Sequence, residues 1–129
     1  MTPRRLLLGA FAAAPLLFGS GAVAAGTAYT PAAFAVAQKA GKPILVHITA
    51  PWCTTCAAQK PILARLEAEP RFKDLQVFDV DFDSRRDVVK RFGATMQSTL
   101  IPYRGETEVG RSAGETKPEA ISALLDKAI

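Results

Sequence analysis

Apolar positions along this chain form two kinds of pattern: short runs suited to buried strands and one-sided stripes suited to helices. Thr30-Pro31 pairs an N-cap residue with proline at the first helical position, and the helix it opens runs to about Ala40, where Gly41 stops it. Ile44 to Thr49 is apolar on both faces except at His47, as expected of a central strand. Cys53 to about Ala68 reads as a second helix, with a kink expected at Pro61 and an end to the region at Pro70. Leu75 to Asp81 alternates Val77, Asp79 and Asp81 with Phe78, Val80 and the following Phe82, as a second strand does. Ser84 to Phe92 predicts a short helix closed by Gly93, whose charges Arg85, Arg86, Asp87, Lys90 and Arg91 form a solvated face. Thr99–Tyr103 and Glu108–Ser112 predict a hairpin about Arg104-Gly105-Glu106-Thr107. Beyond a break at Gly114, Thr116-x-x-Glu119 reads as a capping box for a last helix with Ile121, Leu124 and Leu125 inward.

The resulting order is α-β-α-β-α-β-β-α. A right-handed β-α-β unit followed by a hairpin and a terminal helix predicts an α/β fold, a mixed central sheet of about four strands flanked by helices on both faces. The 129 residues suit one domain, with no repeat, low-complexity stretch or internal linker.

The first residues follow a different logic. Arg4-Arg5, an apolar run from Leu6 to Phe18, and Ala22-Val23-Ala24 are the charged, apolar and cleavage regions of a secretory signal. Residues 1–24 are therefore expected to be removed, leaving a domain over 25–129. The apolar run is shorter than the roughly 20 residues of a membrane span, so an uncleaved anchor facing the same compartment ranks second. The arginine pair also fits a twin-arginine signal, though the general export route is preferred. Export implies a periplasmic location, where cysteines meet an oxidising environment. Arg4 and Arg5 carry half of the net charge of +4, and no basic block interleaves with aromatics, so nucleic-acid binding has no support.

The chemistry concentrates at Pro51-Trp52-Cys53-Thr54-Thr55-Cys56, which holds the only two cysteines, between a strand and a helix. At a helix start, Cys53 would face unpaired N–H groups and the positive end of the helix dipole, which favours thiolate over thiol. Cys56, one turn on, could then attack a mixed disulfide and release its product. A structural disulfide would close too small a loop to stabilise much. A zinc site lacks two ligands, because the chain has one histidine and no further cysteine.

These residues resemble the thioredoxin superfamily over nearly the whole of 25–129. Trp52-Cys53-x-x-Cys56 is similar to its active-site motif, Pro61 to its helix proline, Val77–Gly93 to its second β-α unit, Thr99–Glu108 to its hairpin, and Gly114 to its late glycine. The resemblance implies thiol–disulfide exchange through a redox-active Cys53–Cys56 disulfide, with no organic cofactor. Protein or peptide thiols are the implied partners, together with a membrane-bound or soluble redox protein that recharges the dithiol.

Three positions depart from the family pattern. The cis-proline slot holds Ser98, followed by Thr99. A non-proline cis bond costs about 3 kcal/mol, so a trans Ser98 is expected. Serine there adds a hydroxyl near the sulfurs and leaves room for metal binding. The family's buried acid falls at His47, and the lysine near it at Asp79. Acid and base have thus exchanged strands, and either a proton relay to Cys56 or a hydrogen-bonded core histidine fits. Pro102 lies within a central strand and predicts a bulge or an early strand end.

The expected function is an exported thiol–disulfide oxidoreductase, with reduction preferred to oxidation although Thr54-Thr55 matches neither the Gly-Pro of strongly reducing nor the Pro-His of strongly oxidising family members. Cys53 attacks, Cys56 resolves, and Trp52, Thr54, Thr55, Ser98 and Thr99 form the surroundings. The alternatives are a metal- or iron–sulfur-cluster-binding module using the same cysteines, and a binding protein whose disulfide is merely structural.

Overall fold

The computed structural model describes residues 26–129, so the leader expected over 1–24 and its expected cleavage site lie outside the described residues. The elements in chain order are β1 (Thr27–Ala28), α1 (Pro31–Lys39), β2 (Pro43–Thr49), α2 (Thr54–Glu67), a 3₁₀ turn (Pro70–Phe72), β3 (Gln76–Asp81), α3 (Arg86–Arg91), β4 (Thr99–Arg104), β5 (Thr107–Glu108), β6 (Ser112–Ala113) and α4 (Pro118–Asp126). The sheet runs β1-β3-β2-β4-β5, with β6 also on β4. β1, β3 and β2 are mutually parallel, and β4 returns antiparallel to β2. This is the mixed sheet covered on both faces that the sequence predicts, with more strand pieces than the four expected.

Alternation along the strands sorts the core into two layers. Ile44, Val46 and Ile48 of β2, with Phe78, Val80 and Ile101, pack against Phe34 and Ala37 of α1 and Val88, Val89 and Phe92 around α3. Leu45, Val77 and Leu100 face the other way, onto Leu63 and Leu66 of α2 and Ile121, Leu124 and Leu125 of α4. The odd-numbered residues of β2 and β3 therefore face α2, which is the face that carries His47 and Asp79.

The helix boundaries follow local chemistry. Thr30 caps α1 by accepting from Ala33 N–H, and Gly41 ends the region at φ +69°. Pro61 lies inside α2 and cannot donate to the carbonyl one turn back, yet the helix continues to Glu67. The predicted capping box does not form. Lys117 is the N-cap of α4 without a side-chain bond, and Pro118 occupies the first turn. Glu115 instead accepts from the N–H groups of Thr116 and Lys117, just ahead of the helix. α3 starts at Arg86 with no side-chain cap, two residues later than expected.

The outer arm of the hairpin is not the continuous strand 108–112. It is two short pieces with different registers on β4. Tyr103 lies opposite Glu108, whereas Leu100 lies opposite Ser112. Three steps along β4 thus match four along the outer arm, a bulge of one residue. Pro102 explains its position. Its carbonyl accepts from Val109 N–H, and in an antiparallel ladder the N–H and C=O of one residue point to the same neighbour. The donor that proline lacks would therefore face the broken outer arm and not β2. β4 itself runs through to Arg104 without ending early. The two-residue β1 has too little pattern to be read from sequence. It is held by its parallel register, Thr27 opposite Phe78 and Ala28 opposite Asp79.

Phe34 ties α1 to the sheet through ring contacts with Tyr29, Phe78, Phe92 and Tyr103 at centroid separations of 5.4–5.8 Å. Phe34→Ala is expected to lower the unfolding free energy by about 3–5 kcal/mol. Urea unfolding measures it, and a loss below about 1 kcal/mol would show that the aromatic cluster does not hold this helix.

Candidate active site

The site is built where β2 ends and α2 begins. β2 delivers Ala50 to the sheet's end, and Ala50 packs with Cys53, Cys56 and the ring of Phe82. Cys53 is the N-cap of α2, with extended backbone at φ −81° and ψ 110°. Its Sγ accepts from Cys56 N–H at 3.0 Å, in the place a Ser or Asp oxygen takes in ordinary caps. The two cysteines form a disulfide with their Cα atoms 5.2 Å apart. Cys53 is 4% exposed and Cys56 is fully buried. On reduction, the same N–H and the helix dipole are aimed at Cys53 Sγ and favour its thiolate.

Trp52 stands beside the disulfide with 59% of its surface exposed. Its indole Nε1 donates to Asp83 Oδ2 at 2.6 Å. Asp83 is positioned by a turn after β3, in which Asp81 Oδ1 accepts from the N–H groups of Asp83 and Ser84 and from the Ser84 hydroxyl. The Ser84 N–H, followed by its hydroxyl, holds the Asp81 carboxyl below its ordinary range. Thr54 is exposed and Thr55 half-buried in the first turn of α2.

Ser98 precedes β4, whose first residue Thr99 lies opposite Ile48 near the end of β2. The loop is thus at the same end of the sheet as the disulfide. The peptide is trans, as expected, but Ser98 takes φ +59°, the only positive φ of a non-glycine among the described residues. Such a conformation costs roughly 1–3 kcal/mol and persists only where neighbours hold it. Ser98 is buried, its hydroxyl donates to Gln97 O, and its carbonyl accepts from Gly114 N–H and Gln59 Nε2. Thr99 Oγ1 donates to Met96 O.

His47 is 1% exposed and sits opposite Asp79 in the parallel register of β2 and β3. Its Nδ1 lies 3.5 Å from Asp79 Oδ1, and its Nε2 is 2.9 Å from Gln59 Oε1. The structure thus brings His47 and Asp79 together, while the ring's hydrogen bond goes to Gln59 of α2. Asp79 is one-third exposed and lines an open cleft of about 450 Å³ with Thr49, Ala50, Pro51 and Lys60. Gly26 covers Asp79 so closely that a Cβ there would fall 2.5 Å from its carboxylate.

Two residues of the site were not among the sequence candidates. Gln59 carries a readable signal: Cys56, Gln59, Leu63 and Leu66 are the buried positions of α2, so helical spacing puts one amide on an apolar stripe. Asp83 had no such signal, being one of several loop carboxylates. The metal alternative gains no ligand set. Among the described residues, no group of three or more His, Cys, Asp or Glu side chains could hold an ion.

The sequence matches the Thioredoxin family over residues 27–127. The chain belongs to the thioredoxin family. It is 30% identical over 89 residues to the H-type thioredoxin of Brassica campestris, covering 69% of this chain and 71% of that one. It is also 30% identical over 96 residues to the thioredoxin of Alicyclobacillus acidocaldarius, covering 74% and 90%. The crystal structure of Trxlp from Edwardsiella tarda EIB202 superposes with a TM-score of 0.76 at 44% identity, covering 78% of this chain and 98% of that one. With its Cys53–Cys56 pair, the protein is a thioredoxin-type thiol–disulfide oxidoreductase, an enzyme of the protein-disulfide reductase kind. Thioredoxins act on protein thiols and are recharged by reductases.

Glu67 at the end of α2 gives the region a pH signature. Burial first, and then the negative charge of Asp79, raises its carboxyl above the ordinary value of 4.5. A raised carboxyl binds its proton more tightly in the folded state, so it destabilises the fold as pH rises through that window. Glu67→Gln is expected to exceed the wild type in stability at pH 7, with the gain shrinking as pH falls to 4.5 and below. Urea midpoints across pH 4–7 test this, and a difference independent of pH would refute it.

Proposed function

We propose that this thioredoxin is an exported enzyme that works outside the cytoplasm, chiefly reducing protein disulfides. The observation that carries the chemistry is Cys53 Sγ at the N-cap of α2, accepting from Cys56 N–H. In the reductive direction, the Cys53 thiolate attacks a substrate disulfide sulfur. One protein–substrate S–S bond forms as the substrate bond breaks, and the first substrate sulfur leaves as a thiolate. Cys56, deprotonated, then attacks Cys53 Sγ. The mixed disulfide breaks, the second substrate thiolate leaves, and Cys53–Cys56 closes to the disulfide of this structure. Two electrons pass to the substrate, and a partner dithiol must return them.

Trp52, held to Asp83, supplies an exposed apolar surface beside the reacting sulfur. Thr54 and Thr55 form the first turn, and the Ser98–Thr99 loop borders the site from β4. The His47–Asp79 pair is the acceptor for the Cys56 proton, with His47 Nδ1 facing Asp79, and Asp79 lines the cleft that also reaches Ala50. His47→Ala is therefore expected to slow resolution of the mixed disulfide more than the first attack by Cys53, and Asp79→Asn to do so less. Stopped-flow exchange with a model disulfide separates the two steps. Wild-type resolution rates in both variants across neutral pH would sink the relay.

Export is supported by the arginine pair, apolar run and small-residue site over residues 4–24. Protein recovered from the producing cell should begin near Ala25, and intact Met1 on cytoplasmic protein would overturn the export reading. The reductive direction is a statement about potential. The equilibrium value is expected near the roughly −270 mV of thioredoxin, and one close to the roughly −120 mV of the strong oxidant DsbA would reverse the direction.

A further inference from the structure

Gln59 is fully buried, and every polar group it carries is engaged. Its Nε2 donates to Ser98 O at 3.1 Å and to Glu115 O at 2.9 Å. Both partners are backbone carbonyls, which only accept, so the amide cannot be flipped without losing both bonds. Oε1 must then face His47 Nε2 at 2.9 Å, and an amide oxygen only accepts. The ring nitrogen facing it is therefore the one that carries hydrogen. In the neutral ring, Nδ1 is left with its lone pair, 3.5 Å from Asp79 Oδ1. One side chain thus decides which nitrogen of His47 can gain or lose a proton, and it is the nitrogen facing Asp79, a residue that lines the open cleft.

The other end of Gln59 reaches the loop at the disulfide's end of the sheet. Ser98 is the residue with φ +59°, and the Gln59 bond is one of two that hold its carbonyl, the second coming from Gly114 N–H. Gln59 also lies three residues after Cys56 on the buried face of α2. It therefore links the helix that carries both sulfurs, the histidine of β2 and the loop before β4.

We propose that Gln59 is a positioning residue for thiol–disulfide exchange, which sets the His47 tautomer at Nε2–H and holds the Ser98 peptide in its left-handed conformation at the disulfide's end of the sheet. Its hydrogen bonds go to His47, Ser98 and Glu115 and not to the reacting sulfurs; it acts through the two groups that it orients. The kinetic part rests on the exchange reading above, and the tautomer part does not.

His47 is the only histidine of the chain, so ring nitrogen NMR on uniformly ¹⁵N-labelled protein reads it without assignment. Above the pH at which the ring titrates, the wild type is expected to show Nε2 protonated and Nδ1 bare. A wild-type ring protonated at Nδ1 would overturn the proposal without any variant being needed. Gln59→Met, close in size but with no acceptor of comparable strength, is expected to move the proton to Nδ1, where Asp79 can accept it. Gln59→Glu, which restores an oxygen toward Nε2, is expected to keep the wild-type pattern. The wild-type tautomer in Gln59→Met would overturn the proposal.

The kinetic readout is reduction of a protein disulfide, insulin, with dithiothreitol as the recharging dithiol. Loss of a buried donor to Ser98 O is expected to lower kcat/KM of Gln59→Met and of Gln59→Glu by roughly tenfold. Wild-type kcat/KM in both folded variants would overturn the positioning role. A wild type that does not reduce insulin at all would instead count against the exchange reading, leaving the tautomer result to decide the rest.

Discussion

β2 has no face toward water, and that constraint organises the molecule. It is flanked by β3 and β4 in the sheet, with α1 and α3 on one side and α2 and α4 on the other. A polar group placed in such a strand must find its partners inside the protein or lose the several hydrogen bonds it made in water. His47 is that group. Satisfying it draws in Gln59 from α2 and brings Asp79 of β3 alongside, and Gln59 then reaches the backbone at Ser98 and Glu115. One imidazole in an apolar strand thus gives the helix behind the disulfide a specific relation to the sheet and to two loops. Hydrophobic packing of Leu63 and Leu66 would hold α2 down, but it is less directional than hydrogen bonds and would not by itself define that relation.

The reactive groups gather at one end because the strands do. β2 and β3 are parallel, so their C-terminal ends emerge together, carrying Ala50–Cys53 from one and Asp81–Asp83 from the other. β4, antiparallel to β2, begins where β2 ends and contributes Ser98. An open α/β sheet places its chemistry at the carboxyl ends of its parallel strands for this reason. The helix that starts there supplies free N–H groups, and Cys53 takes one of them as its cap.

Much of the fold was legible because burial imposes a period. The both-sided apolar run of β2, the alternation of β3, and the caps and stops of α1 each follow from local residues acting alone. Elements that depend on a partner were not legible. β1 is two residues long and exists only because β3 offers it an edge. The outer arm of the hairpin splits because Pro102 leaves a gap in the ladder on that side, and a one-residue bulge shifts the register beyond it. The capping box expected at Thr116 does not form, because the helix starts one residue later at Pro118, behind Lys117, and Glu115 takes the two loop N–H groups ahead of it.

By itself, the sequence determined the α/β class, the strand–Cys53-x-x-Cys56–helix arrangement and hence the chemistry, because those depend on residue type at short spacing. It also placed His47 and Asp79 on central strands as an exchanged acid and base. Only the tertiary structure decided what those residues touch. The parallel register sets His47 beside Asp79, the face of α2 turns Gln59 onto the ring, and the chain's return through β4 puts the left-handed Ser98 against the same amide. Gln59 and Ser98 are 39 residues apart, and Gln59 and Glu115 are 56 apart. Hydrogen bonds over such separations are fixed by packing and strand order, which no local pattern of side chains encodes.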